Sequence, residues 1–190
     1  MDIEATGLDC SQHRAIDLAL QVVDISSAKR LQGYQTLIKV SEEQWLKSDP
    51  ESLAINGYTW EEVQKGKEPR VVGQEIITLL SSYNIKRGKS AFICQNPAFD
   101  RGFFAQIIDI YTQEKLAWPY HWLDFASMYW AGIAWQSLEQ NNPFPAELNL
   151  SKNAIAEKLQ LPSEAAPHRA LTGVEHLISC YQALIGVEFH

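Results

Sequence analysis

The chain has 190 residues, 46% of them apolar, with 10 Gly and 8 Pro: enough for one domain of roughly 100–200 residues with its own core, and unlike a disordered or collagenous chain. Its net charge of −7 argues against broad electrostatic binding to nucleic acid, but leaves room for an enzyme that grips one nucleotide end through metal ions. No apolar run approaches the ~18 residues of a membrane span, no export signal opens the chain, and Cys10, Cys94 and Cys180 lack CxxC spacing, so a protein of the reducing cytoplasm without a disulfide framework or zinc ribbon is expected.

In chain order, Met1 to Ala5 is a short segment that ends at the turn Thr6-Gly7-Leu8. Ala15 to Asp24 and Leu31 to Val40 read as neighbouring strands, which makes an N-terminal β-meander. Leu53 to Gly57 closes one helical piece and Thr59 opens another. Val72, Ile76, Leu79, Leu80 and Tyr83 recur at helical spacing, and Ser90 to Cys94 is a short buried strand. Asn96-Pro97 then starts a helix expected to reach Tyr111, with Asn96 as cap and Pro97 at the first position. A strand at His121 to Asp124, a helix from Phe125 to Trp135, a loop at Glu139 to Pro145, a helix from Lys152 to Leu159 capped by Ser151, and a last helix after Pro167 complete the chain. Strands first, then strands alternating with helices, predict a mixed α/β sheet with helices on its faces.

Three short motifs carry chemistry. In Asp2-Ile3-Glu4 the two carboxylates sit two apart on a strand and so share one face. Such a pair repels unless a cation lies between, and hard oxygens favour Mg²⁺ or Mn²⁺. In Asn96-Pro97-Ala98-Phe99-Asp100 the acid falls in a first helical turn, where the macrodipole favours it. His168-Arg169-Ala170 stands at the start of the last helix. Each alone has a plainer reading: a solvated terminus, a dipole-compensating acid, a structural His.

Together, DIEATGLD, NPAFD and PHRAL, in this order and spacing, resemble the DEDDh 3′–5′ exonucleases, the family of ribonuclease T and of the bacterial polymerase proofreading subunit. The resemblance spans nearly the whole chain. It implies a single domain over residues 1–190 with a ribonuclease-H-like fold, a mixed five-stranded sheet flanked by helices on both faces. It also implies two-metal phosphodiester hydrolysis at single-stranded DNA or RNA ends, with Mg²⁺ or Mn²⁺ held by Asp2, Glu4 and Asp100, and His168 as general base. By the same analogy Thr6, Gly7 and Leu8 would meet the terminal nucleotide, with Leu8 wedged between bases, and Asn96, Phe99 and Phe103 would line its pocket. For the two Phe residues ordinary core packing is the competing reading.

Two departures qualify this. The family's third motif is HxAxxD, and here Gly173 replaces its acid. Glu175 lies about 200° further round the helix and should point away, whereas His176 is about 60° off the face and one turn along, the better-placed substitute. The metal position next to His168 is therefore expected to be weak or empty. Second, only Met1 precedes Asp2, so the first strand is expected to be a stub that holds Asp2 loosely, from a shortened chain or one whose start lies further upstream. The leading expectation is thus a 3′–5′ exonuclease of reduced activity. The alternatives are a degenerate member that binds nucleic acid or protein, and a proofreading-like subunit that docks on a polymerase through its Trp-rich segment. A homodimer is left open. Asp124 reads as structural, and Lys86, Arg87 and Lys89 as a solvated basic loop.

Overall fold

Strand β2 (Ala15–Asp24) is the best-buried element, because its run AIDLALQVV leaves both faces apolar but for Asp17 and Gln21. The computed structural model describes residues 1–146 and 148–190. It pairs β2 antiparallel with β1 (Asp2–Ala5) and β3 (Lys29–Leu37), in the order β1-β2-β3. This is the meander read from the sequence. Three short helices follow, α1 (Glu42–Trp45), α2 (Pro50–Asn56) and α3 (Trp60–Val63), then α4 (Pro69–Ser82). Ser41 and Thr59 close capping boxes on α1 and α3, and Gly57 takes the left-handed conformation that ends α2.

Beyond α4 come β4 (Phe92–Cys94), α5 (Pro97–Ile107), α6 (Ile110–Lys115), β5 (Trp122–Asp124), α7 (Phe125–Glu139), α8 (Lys152–Lys158) and α9 (Ala170–Ile185). The predicted Asn96–Tyr111 helix is in fact two: Ile108 turns extended, and Asp109 caps α6 by accepting from Thr112 N. Asn96 makes no side-chain cap bond. Asp124 is structural as expected, accepting from Ala126 N and Ser127 N to cap α7. Ser151 does the same for α8.

Helices cover both faces of the meander, as alternation along β2 requires. Leu18, Leu20 and Val22 pack with Ile76 of α4 and Phe103 and Phe104 of α5 in the main core. On the other face Ala19 meets Ala170, Val174 and Ile178 of α9. Small residues at this contact let α9 approach β1 and β2 closely. A second core joins α7, α8 and α9 through Phe125, Tyr129, Ile155 and Leu177.

Among the described residues the expected five-stranded sheet is divided into one of three strands and one of two. β4 pairs in parallel with β5 as a separate two-stranded ladder. β1 pairs with β2 from Asp2 opposite Ala19 to Ala5 opposite Ala15, and among the described residues no ladder joins β1 to β4. The Met1 ammonium donates to Ile93 O at 3.0 Å across the gap. The remaining space is a cavity of about 660 Å³ lined by Leu20, Val22, Phe92, Ile93, Leu177 and Tyr181 among others. Among the described residues, no helix is long and apolar enough to cross a membrane.

Candidate active site

Strand parity sets the site. Ile3 and Ala5 enter the interior, while Asp2 and Glu4 project together from the other face of β1, half-buried. Asp100 comes from the first turn of α5 and is 5% exposed. The charge of Asp2 acts on both of the others. Burial, and then the charges of Asp2, Asp17 and Glu164, push Glu4 up to about 8. Burial and the charge of Asp2 push Asp100 up to about 7. Burial likewise raises Asp2, against the pull of Lys152. The neighbouring Cys94 thiol is raised by burial and by Asp100, so it is an inert core group rather than a nucleophile.

Asp2 is not held loosely. Its main chain pairs with Ala19, and its Oδ1 accepts from Lys152 Nζ at 3.2 Å. Lys152 opens α8 and also meets Glu164 Oε2 at 3.0 Å. Burial works against the Lys152 charge, but Asp2 and Glu164 outweigh it and hold its pKa above the ordinary lysine value. Neither Lys152 nor Glu164 stood out in the sequence. The available signal was charge balance: three acids meant for one point need a cation, and position 173 lacks its acid.

The candidate substitutes for that acid go elsewhere. Glu175 points away and pairs with Arg30. His176 is buried and donates through Nε2 to Pro162 O at 2.9 Å, so it does not complete an ion site. His168 lies half-buried in the loop before α9, where its backbone N–H donates to Ile55 O at 3.1 Å. Its imidazole makes no hydrogen bond to the acids among the described residues. What fixes this loop is Asp17, fully buried on β2. Its carboxylate accepts from Gln35 Nε2 at 2.8 Å, Tyr58 OH at 2.6 Å and Ala170 N at 2.9 Å. The Arg169 guanidinium lies 3.6 Å from the centre of the Tyr58 ring. An acid inside an apolar strand was the sequence signal for this anchor, and reading the segment only as a strand missed it.

The residues expected to meet a nucleotide divide. Leu8 is 79% exposed and Asn96 is exposed. Thr6 is instead fully buried, with its hydroxyl accepting from Arg14 N at 3.0 Å, so it closes the turn between β1 and β2. Gly7 lies against the His13 ring, where a Cβ would stand 2.5 Å from the ring atom Cγ; the close approach is to protein. Phe103 is fully buried in the main core and has no ring face for a base. Phe99 packs beside it, ring centres 4.7 Å apart, and stays partly accessible. In the basic loop Lys86 donates to Leu116 O and Arg87 pairs with Glu114, so two of its three charges are engaged locally.

Buried carboxylate oxygens with raised pKa values suit a hard divalent cation, which would relieve their repulsion. No three His, Cys, Asp or Glu side chains among the described residues stand close enough to share an ion, and the Lys152 ammonium already occupies the flank of Asp2 beside Gly173.

No family model matches the chain, and no curated protein matches it in sequence. Solved structures do. The nuclease domain of 3′hExo, a DEDDh family member bound to rAMP, superposes with a TM-score of 0.66 at 14% identity, over 100% of this chain and 92% of that one. The chain has the fold of the DEDDh 3′–5′ exonucleases. An exonuclease I matches with a TM-score of 0.77 at 16% identity, over 98% of this chain and 40% of that one. The zinc-bound form of the E. coli exonuclease I complex with single-stranded DNA matches at 0.74 and 15% identity, over 97% and 39%. The chain thus spans about two fifths of exonuclease I.

Proposed function

We propose that the chain is a metal-dependent 3′–5′ exonuclease that hydrolyses the terminal phosphodiester of single-stranded DNA or RNA, at a rate lowered by the missing acid at Gly173. The observation that carries this reading is the charge that Asp2 exerts on Glu4, beside it on β1, and on Asp100 of α5, in a chain with the DEDDh fold. Those three acids would supply the ligands for Mg²⁺ or Mn²⁺ once an ion draws them together, since as they stand no three of them share one position. When bound, such an ion neutralises charge on the scissile phosphate. His168 would accept the proton of the attacking water, since imidazole is the usual general base near neutral pH. Its loop is positioned by the bond from Ala170 N to Asp17. Exposed Leu8 would wedge beside the terminal base, with Asn96 and Phe99 nearby in role. The single-stranded DNA seen on a related fold supports this substrate class.

One observation favours a second reading, a degenerate member that binds nucleic-acid ends or a protein without efficient hydrolysis: the bond from Lys152 to Asp2, which ties up a would-be ion ligand. A labelled oligonucleotide with Mn²⁺ separates the two. Stepwise shortening from the 3′ end that disappears in Asp100→Ala supports the enzyme. Oligonucleotide that is bound but unshortened at high protein concentration supports the binder.

A further inference from the structure

Lys152 and Asp2 are 150 residues apart in sequence, yet their charged ends meet below the surface. The Lys152 ammonium has three donors and three acceptors around it: Asp2 Oδ1 at 3.2 Å, Glu164 Oε2 at 3.0 Å and Gly173 O at 3.5 Å. The side chains of Lys152, Asp2 and Glu164 are 11%, 14% and 3% exposed. An ammonium in such a place does what a bound ion does, cancelling negative charge that burial makes costly. Its third contact is the backbone of Gly173, the position where the resemblance calls for an acid. On this side of Asp2 the charge is therefore inverted: a cationic side chain stands beside the residue that would have been a carboxylate.

We propose that Lys152 is a built-in cation that replaces one of the two metal ions of the site, so that the chain takes at most one divalent ion, which competes with Lys152 for Asp2. This deepens the reading of the acids as an ion site and rests on it. Glu164 supplies independent support. Its Oε2 holds Lys152, while its Oε1 is buried without a hydrogen-bond partner. A buried bare carboxylate oxygen is costly unless a cation is close, and Lys152 is the cation at hand. Without that ammonium, Asp2 and Glu164 lose their counter-charge together and become a pair that draws an ion in.

The test is calorimetric titration of Mn²⁺ into the intact protein and into Lys152→Met and Lys152→Arg, with thermal melts in EDTA and in Mn²⁺. Wild type is expected to take no more than one ion per chain, weakly. Lys152→Met is expected to bind Mn²⁺ about tenfold or more tightly, to melt below wild type in EDTA and to recover in Mn²⁺. Lys152→Arg keeps the charge and should behave as wild type. Two tight, equal sites in wild type overturn the proposal, as does a folded Lys152→Met with unchanged Mn²⁺ affinity. If Lys152→Met does not fold, Lys152→Gln and the wild-type stoichiometry decide by the same criteria. The oligonucleotide assay reports separately. A gain in Mn²⁺ affinity with no shortening by any variant removes the exonuclease reading and leaves the role of Lys152 standing. Shortening by a wild type that holds two tight ions does the reverse.

Discussion

The carboxylate of Asp2 lies directly on the bare Cα of Gly173, so close that a Cβ there would stand 2.6 Å from Asp2 Cγ. Glycine at 173 is thus a packing requirement of the contact between α9 and β1, beyond the loss of an acid. Alanine would favour the helix by ~1 kcal/mol, but overlap in a packed site costs ~1–3 kcal/mol. Relief requires Asp2 to swing off Lys152. Gly173→Ala is expected to lower stability by on the order of 1 kcal/mol, measured by urea unfolding; a more stable variant would show that Asp2 moves aside freely. Gly173→Asp meets the same overlap, so restoring the acid alone does not rebuild an ion site.

The raised acids make stability depend on pH. Folded Glu4 and Asp100 hold their protons to about 8 and about 7, against ordinary values of 4.5 and 3.8. Across that window the unfolded chain has already released them, so it binds fewer protons and stability falls as pH rises. In EDTA the melting temperature is expected to decline from about pH 5 to about pH 8 and then to level. Glu4→Gln cannot ionise and should flatten the decline; a flat wild-type profile would contradict the burial that, with the charge of Asp2, raises these acids.

Asp17 anchors the start of α9. Asp17→Ala leaves Tyr58 OH, Gln35 Nε2 and Ala170 N without their acceptor. Tyr58 OH and Ala170 N are buried, and each orphaned buried donor costs roughly 1–3 kcal/mol, whereas exposed Gln35 turns to water; a loss of about 2 kcal/mol or more is expected in chemical denaturation. Tyr58→Phe removes one bond and should cost about 1 kcal/mol. Hydrogen exchange at the first turn of α9 should quicken in both, and unchanged exchange would argue against the anchor.

Leu8 and Phe103 were grouped by analogy and are separated by burial. Leu8→Ala is expected to leave stability within about 0.5 kcal/mol and to weaken oligonucleotide binding in fluorescence anisotropy. Phe103→Ala is expected to cost about 3–5 kcal/mol from the core. Equal binding by wild type and Leu8→Ala would remove the wedge role.

Strand and helix periods, caps and turn glycines made most elements legible: β2 appears at its predicted bounds, and Ser151 and Thr59 cap the helices they were expected to open, while Asp124, read only as structural, caps α7. Local signals sufficed there because a cap or an alternation is decided within a few residues. The pairing of Asp2 with Glu4 on one strand face was legible for the same reason. Less legible were the break at Ile108, the split into two ladders and the burial of Thr6 and Phe103, each set by neighbours remote in sequence.

The sequence by itself determined which chemistry was available: two carboxylates two apart on a strand, a third in a first helical turn, a histidine before the last helix and a glycine in place of an acid. Tertiary structure alone decided what surrounds them. The partner of Asp2 is Lys152, 150 residues away, and no period or motif encodes such a meeting. Packing α8 and α9 over β1 buries the carboxylates, and burial without a counter-charge is costly. The nearest ammonium therefore became part of the site.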